Sequence, residues 1–156
     1  MDGITRKLSV LSHIAGELNR QNIVWAVGGS LLLYLKGIAA DFADIDVMVA
    51  EADAQTAKGI LMSLGDIRPA HENAKYKTRC FWQFHVSGVD LDVMAGFAIM
   101  SDGQEYYFPL AKESVVDCAV VNEVRIPLQS LKEWRQYYGL MGRDEKVKLI
   151  DAHTGK

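Results

Sequence analysis

Cysteine is scarce in this chain of 156 residues. Cys80 and Cys118 are far apart and form no C-x-x-C pattern, so no disulfide framework is expected and both read as free thiols. The four histidines, His13, His71, His85 and His153, show no i, i+4 spacing, which argues against a zinc site. No apolar run reaches the length of a membrane span. Residues 1–7 lack the charged-then-apolar layout of a signal peptide. A cytoplasmic location without membrane contact is the expectation. Cationic excess is missing too: 17 Lys and Arg stand against 20 Asp and Glu, a net charge of −3. That argues against an extended nucleic-acid surface and still allows one local basic groove. G-x-x-x-x-G-K-[ST] and G-x-G-x-x-G are both absent, so neither a P-loop nor a dinucleotide fold is supported. With no repeat, low-complexity tract or linker, residues 1–156 are expected to form a single domain.

The informative stretch is residues 23–49. An apolar run, Ile23 to Val27, breaks at Gly28-Gly29-Ser30, and a short apolar helix should follow. A second strand then carries Asp44 and Asp46. Residues i and i+2 of a strand share a face, so the two carboxylates sit side by side while Ile45 and Val47 point into the core. Such a pair needs a cation between its members, or one carboxyl protonated. Glycine lets the strand turn sharply into the helix and lets a ligand approach the backbone. Ser30 is expected to cap that helix, whose start then suits a phosphate. Phosphate cradle and paired carboxylates together suggest a metal-bound nucleoside triphosphate.

Residues 79–96 are the second informative stretch. Two strand-like runs flank Ser87-Gly88, a two-residue hairpin turn. The register that follows pairs Val86 with Val89, His85 with Asp90, Phe84 with Leu91, Gln83 with Asp92 and Trp82 with Val93. Trp82, Phe84, Val86, Val89, Leu91 and Val93 then share one face. Arg79, Gln83, His85, Asp90 and Asp92 share the other, and a slip of one residue would mix them.

These residues resemble the nucleotidyltransferase superfamily, the DNA polymerase β-like fold. That family carries Gly-Gly or Gly-Ser after its first strand, Asp-x-Asp on the next, and a third carboxylate on a later strand. Gly28, Gly29 and Ser30 match the first element, Asp44 and Asp46 the second, and Asp92 the third. The resemblance implies an α/β (α+β) minimal nucleotidyltransferase fold, a mixed β-sheet with helices mainly on one side. It implies transfer of a nucleoside monophosphate from a nucleoside triphosphate such as ATP to an acceptor. Two Mg²⁺ ions, with Mn²⁺ as surrogate, would be held by Asp44, Asp46 and Asp92, and Asp92 would also help deprotonate the acceptor; Asp90, with the same apolar flanks and the same face, could share or replace the role of Asp92. Gly28, Gly29 and Ser30 would hold the β- and γ-phosphates, so Gly29→Val is expected to lower triphosphate affinity while the fold persists. Arg79, Gln83, His85, Asp90 and Lys146 are candidate substrate or phosphate contacts. His85 is read first as a partner of Asp90. Size and layout resemble the small antibiotic nucleotidyltransferases, and the acidic balance favours a small cationic acceptor over RNA. One departure stands out: many relatives carry a basic residue just before Asp-x-Asp, where this chain has Ala39-Ala40-Asp41-Phe42-Ala43. It favours the rival reading, a non-catalytic nucleotide-binding or interaction module. A toxin-type enzyme acting on RNA or protein is a further alternative.

Elsewhere the periodicity predicts a helix over residues 4–20 and another over 53–64, the latter with Ala57, Ile60, Leu61 and Leu64 inward. Residues 66–77 read as a loop or ragged strand whose cations are solvated, with Lys75 or Lys77 as a minority phosphate contact. Short strands are predicted at 106–108, 115–116 and 124–126. Ser130 should cap a helix to about Tyr138, broken by Gly139 to Gly142, before a last helix from Arg143.

Overall fold

A computed structural model of the chain describes residues 3–68 and 78–154. Lys75 and Lys77 lie outside the described residues. The helix predicted over residues 4–20 is α1 (Gly3–Arg20), which buries Leu11, Ile14 and Leu18 on one stripe. Strand β1 (Trp25–Gly28) runs straight into α2 (Gly29–Leu35). Strand β2 (Ile45–Val49) follows, then a 3-10 turn at Glu51–Asp53 that leads into α3 (Ala54–Met62). Ala57 and Leu61 of α3 are buried, with Ile60 and Leu64 packed partly against the core.

Strand β3 (Asp66–Arg68) precedes the hairpin of β4 (Cys80–Val86) and β5 (Val89–Ala95). The predicted hairpin register is observed at every pair, from Val86 opposite Val89 to Trp82 opposite Val93. Ser87 and Gly88 both take positive φ, 49° and 84°, as a tight hairpin turn requires. Next come β6 (Phe97–Ser101) and β7 (Gln104–Phe108), a separate two-stranded ribbon turning at Asp102-Gly103. The strand predicted at residues 115–116 is displaced. Val116 is exposed, and the strand is β8 (Asp117–Val121), paired with β9 (Val124–Leu128).

Helix α4 (Leu131–Leu140) begins at Ser130, whose side chain accepts from the Glu133 N–H while Glu133 accepts from the Ser130 N–H, a reciprocal capping box. Gly139 stays inside α4, and the break comes at Gly142, which holds φ +76°. Helix α5 (Asp144–Thr154) packs on α4.

Strand order in the seven-stranded sheet is β3-β4-β5-β2-β1-β9-β8. The sheet is mixed: β2 and β5 run parallel, as do β1 and β9, and the remaining neighbours are antiparallel. Opposed residues on paired strands point to the same face. Val47, Val93, Trp82, Leu91 and Phe84 therefore lie on one face. Lys58 of α3 sits over the Trp82 ring, 5.1 Å from its centroid, and α1 contacts α3, so both helices cover that face. The opposite face carries the polar residues of β4 and β5. Among the described residues, no helix is long and apolar enough to cross a membrane.

Candidate active site

The parallel register of β2 and β5 sets Asp46 opposite Asp92. Asp46 is also opposite Gly28 across β1, and Asp92 opposite Gln83 across β4. Arg68 of β3 continues the row beside Gln83. One straight row, Arg68–Gln83–Asp92–Asp46–Gly28, thus crosses five strands on the face away from α1 and α3. The neighbouring row holds Asp66, His85 and Asp90. Asp44, one residue before β2, is the next member along, and its charge and that of Asp90 act on each other.

Ile45 and Val47 are fully buried, which fixes the alternation and leaves Asp44 and Asp46 on the polar side as expected. Asp46 keeps some exposed surface as a residue, yet its carboxyl is surrounded by protein atoms. Burial first, then the Asp92 and Asp44 charges, push its pKa well above the usual carboxylate range. Asp92 is raised by burial, held back by a hydrogen bond from Gln83 Nε2 to its Oδ1 (3.2 Å), and raised again by Asp44 and Asp90. Asp44 is raised by burial and by Asp90, against a lowering from Lys7. Three carboxyls are thus placed where their ionised forms disfavour one another. Among the described residues, no group of three or more His, Cys, Asp or Glu side chains is already gathered tightly enough to hold a metal ion.

The glycine turn has a tighter constraint than ligand access. A Cβ on Gly28 would stand 2.3 Å from Nε1 of Trp134, and one on Gly29 would stand 1.8 Å from Oδ2 of Asp46. Gly29 also holds φ +62°, a conformation that L side chains rarely adopt. The expected tolerance of the fold to Gly29→Val is therefore corrected: a side chain there would meet Asp46 and strain the turn before any ligand arrived. Ser30 does not cap α2. Gly28 is the N-cap residue without a side-chain bond, and Ser30 sits inside the first turn, where its Oγ accepts from the Ala43 N–H at 3.2 Å.

Trp134 closes one end of the row. It lies against Gly28, donates from Nε1 to Oε1 of the buried Gln129 at 2.7 Å, and stacks at 6.0 Å on Phe97. Among the predicted contact residues, Gln83, His85 and Asp90 join the carboxylate face, with His85 Nδ1 2.8 Å from Asp90 Oδ1. Arg79 does not. It precedes β4 at the far end of the hairpin, pairs with Glu105 at 2.8 Å and lies 4.5 Å from the Tyr107 ring centroid. The sequence reading extended the alternation one residue past the strand. Tyr107 in turn donates its hydroxyl to Glu51. Lys146 stands in the first turn of α5, where its charge helps lower the Glu145 pKa.

Two residues of this face escaped the sequence reading, Asp66 and Arg68. Their signal was only an i, i+2 spacing in a three-residue exposed strand.

The fold is similar to that of several solved structures. A Thermotoga maritima protein described as a candidate nucleotidyltransferase superposes with a TM-score of 0.71 at 24% identity, over 97% of this chain and 94% of that one. The chain has a nucleotidyltransferase-like fold. In that fold it is also similar to ANT(2'')-Ia in complex with adenylyl-2''-tobramycin, with a TM-score of 0.63 and 15% identity over 95% and 89% of the two chains. A lincomycin-bound lincosamide adenylyltransferase, LnuA, gives 0.62 and 14% over 92% and 96%. No family model and no curated protein sequence matches this chain.

Proposed function

We propose that the protein is a metal-dependent nucleotidyltransferase that moves a nucleoside monophosphate from a nucleoside triphosphate to a hydroxyl of a small acceptor. The observation that carries this reading is the in-register row of Gly28, Asp46, Asp92 and Gln83, built from four strands that meet on one face.

The donor set is oxygen only, which fits a hard divalent cation such as Mg²⁺. Asp44, Asp46 and Asp92 would hold the metal. It would supply positive charge that offsets their mutual repulsion and that of the phosphates. The raised pKa values fit this role, because the carboxyls are unfavourable as bare neighbouring anions. They are not gathered as they stand, so the account requires the three carboxylates to draw together on loading.

The backbone of Gly28 and Gly29 and the Ser30 hydroxyl bind the β- and γ-phosphates. Ser30 Oγ already accepts from Ala43, and its own O–H hydrogen remains to donate. Asp92 accepts the proton of the acceptor hydroxyl, and Gln83 holds the Asp92 carboxylate in position while it does so. The acceptor oxygen then bonds to the α-phosphorus, the bond to the bridging oxygen breaks, and pyrophosphate leaves. Asp66, Asp90 and His85 line the acceptor side and favour a cationic small molecule. Two structural neighbours carry antibiotics or their adenylylated products, which supports a small-molecule acceptor.

The test is incubation of the protein with each labelled nucleoside triphosphate, Mg²⁺ and a panel of acceptors that includes aminoglycosides, lincosamides, transfer RNA and protein. Label transferred to a small hydroxyl compound is expected. Label on RNA or protein would replace the acceptor class, and no transfer beside intact nucleotide binding would favour the non-catalytic reading.

A further inference from the structure

Lys7 reaches from α1 to the segment that leads into Asp44. Its Nζ donates to the Phe42 carbonyl at 2.5 Å, lies 3.7 Å from the Asp41 carboxylate and 5.1 Å from the Phe42 ring centroid. The N–H on the other side of the same peptide, that of Ala43, donates to Ser30 Oγ at 3.2 Å. One planar peptide unit therefore joins an ammonium on α1 to a hydroxyl at the start of α2. Bond lengths across that unit keep Nζ and Ser30 Oγ within about 8 Å of each other. Asp44 is the next residue in the chain.

The side chain of Lys7 keeps 25% of its surface exposed, so a ligand can reach it. An ammonium has three N–H donors, and the Phe42 carbonyl takes one. Residues 39–43 contribute no cation of their own, while Asp41, Asp44 and Asp46 crowd the same short stretch. A polyanion entering beside these carboxylates needs a positive charge on the protein, and the Lys7 charge already acts on Asp44.

We propose that Lys7 is a phosphate-binding residue of the nucleotide site, its ammonium contacting the terminal phosphates of a bound nucleoside triphosphate beside Ser30. This rests on the nucleotidyltransferase reading above. A role confined to pinning the peptide between Phe42 and Ala43 makes a different prediction. It would affect the loop alike whether or not the ligand carries phosphate.

The test is calorimetric binding to the full chain with Mg²⁺ present. The ligands are ATP, GTP, CTP and UTP, the nucleoside of whichever binds best, and inorganic tripolyphosphate. Lys7→Met should lose about tenfold in affinity for triphosphate and tripolyphosphate, as expected when one charge-assisted hydrogen bond is removed. Nucleoside affinity should be unchanged, and Lys7→Arg should restore most of the loss. Equal triphosphate affinity in wild type and Lys7→Met overturns the proposal alone, and so does an equal loss for triphosphate and nucleoside. A wild type that binds neither any triphosphate nor tripolyphosphate overturns the nucleotidyltransferase reading and this inference with it. Acylation of Lys7 in the wild-type protein needs no folded variant: bound triphosphate should slow it, and an unchanged rate with triphosphate bound overturns the proposal.

Discussion

Gly29 and Asp46 share one pocket of space: Asp46 Oδ2 occupies the position where a Gly29 Cβ would stand, 1.8 Å away. The turn from β1 into α2 and the carboxylate on β2 therefore specify each other. Gly29→Ala should destabilise through both the positive φ and the displaced carboxyl. The left-handed conformation alone costs about 1–2 kcal/mol, and for a chain of this length that lowers Tm by roughly 2–8 °C. Thermal unfolding of the variant checks it. An unchanged Tm would mean that the turn is not built as described.

Stability should fall with rising pH on the acid side. Asp46, Asp92 and Asp44 all have pKa values raised on folding, so the folded state holds their protons more tightly than the unfolded chain. Their contribution is complete below the ordinary carboxylate pKa and is lost as pH rises through each folded value. Asp117, Glu145 and Asp151 are lowered and act in the opposite direction, but they lie at the exposed surface. Urea unfolding of wild type and Asp46→Asn across pH 3–8 isolates the effect. The Asn variant should gain relative stability steadily as pH rises. A difference that is flat or reversed would show that Asp46 is not held protonated.

Gln83 restrains Asp92 through a single hydrogen bond. Gln83→Leu removes the contribution that lowers the Asp92 pKa, so that pKa should rise. The acid limb of the transfer pH profile should move upward with it. A charged-group hydrogen bond contributes about 1.5–3 kcal/mol, so a rate loss on the order of tenfold or more is expected below the new pKa. Carboxyl NMR titration of Asp92 gives the same reading without activity. An unshifted titration would remove Gln83 from its assigned role.

Trp134 and Gly28 form a matched pair across α4 and β1. Gly28→Ala should be severely destabilising in the native background, because the indole cannot retreat from Phe97, Tyr137 and Tyr138. Trp134→Ala should cost about 3–5 kcal/mol by opening a cavity. The double variant should cost less than the two added together, since the cavity admits the new methyl group. Chemical unfolding of all four proteins closes this cycle, and strict additivity would contradict the contact.

How much of this was legible in sequence depended on the range of the interaction. The β4–β5 hairpin was readable because strict alternation on both arms and the Ser87-Gly88 turn leave one register that keeps Trp82 and Phe84 together. The α4 start was readable because Ser130 and Glu133 sit at capping-box spacing. Strand β8 was displaced in the reading because it is an edge strand with Cys118 and Val120 exposed, so burial imposes no pattern on it. Ser30 was expected to cap its own helix, whereas it binds the Ala43 N–H 13 residues away. Lys7 carries no local signal at all, since its partners lie 34 and 35 residues further along the chain. Arg79 was assigned to the polar face by extending the strand period past Cys80; its N–H still bonds to the Gly96 carbonyl at 3.1 Å, but Glu105 and Tyr107 draw the side chain away.

Titration with Mg²⁺ in the presence of nucleoside triphosphate, followed by melting temperature, tests the carboxylate site most directly. Binding to the folded state raises Tm by mass action. The wild type should be stabilised by the ion, and Asp44→Asn, Asp46→Asn and Asp92→Asn should each lose that shift while their ion-free stability holds or rises. If Mg²⁺ leaves the wild type unchanged and Asp46→Asn unfolds the protein, the three carboxylates serve the fold and no metal–nucleotide site exists on this face.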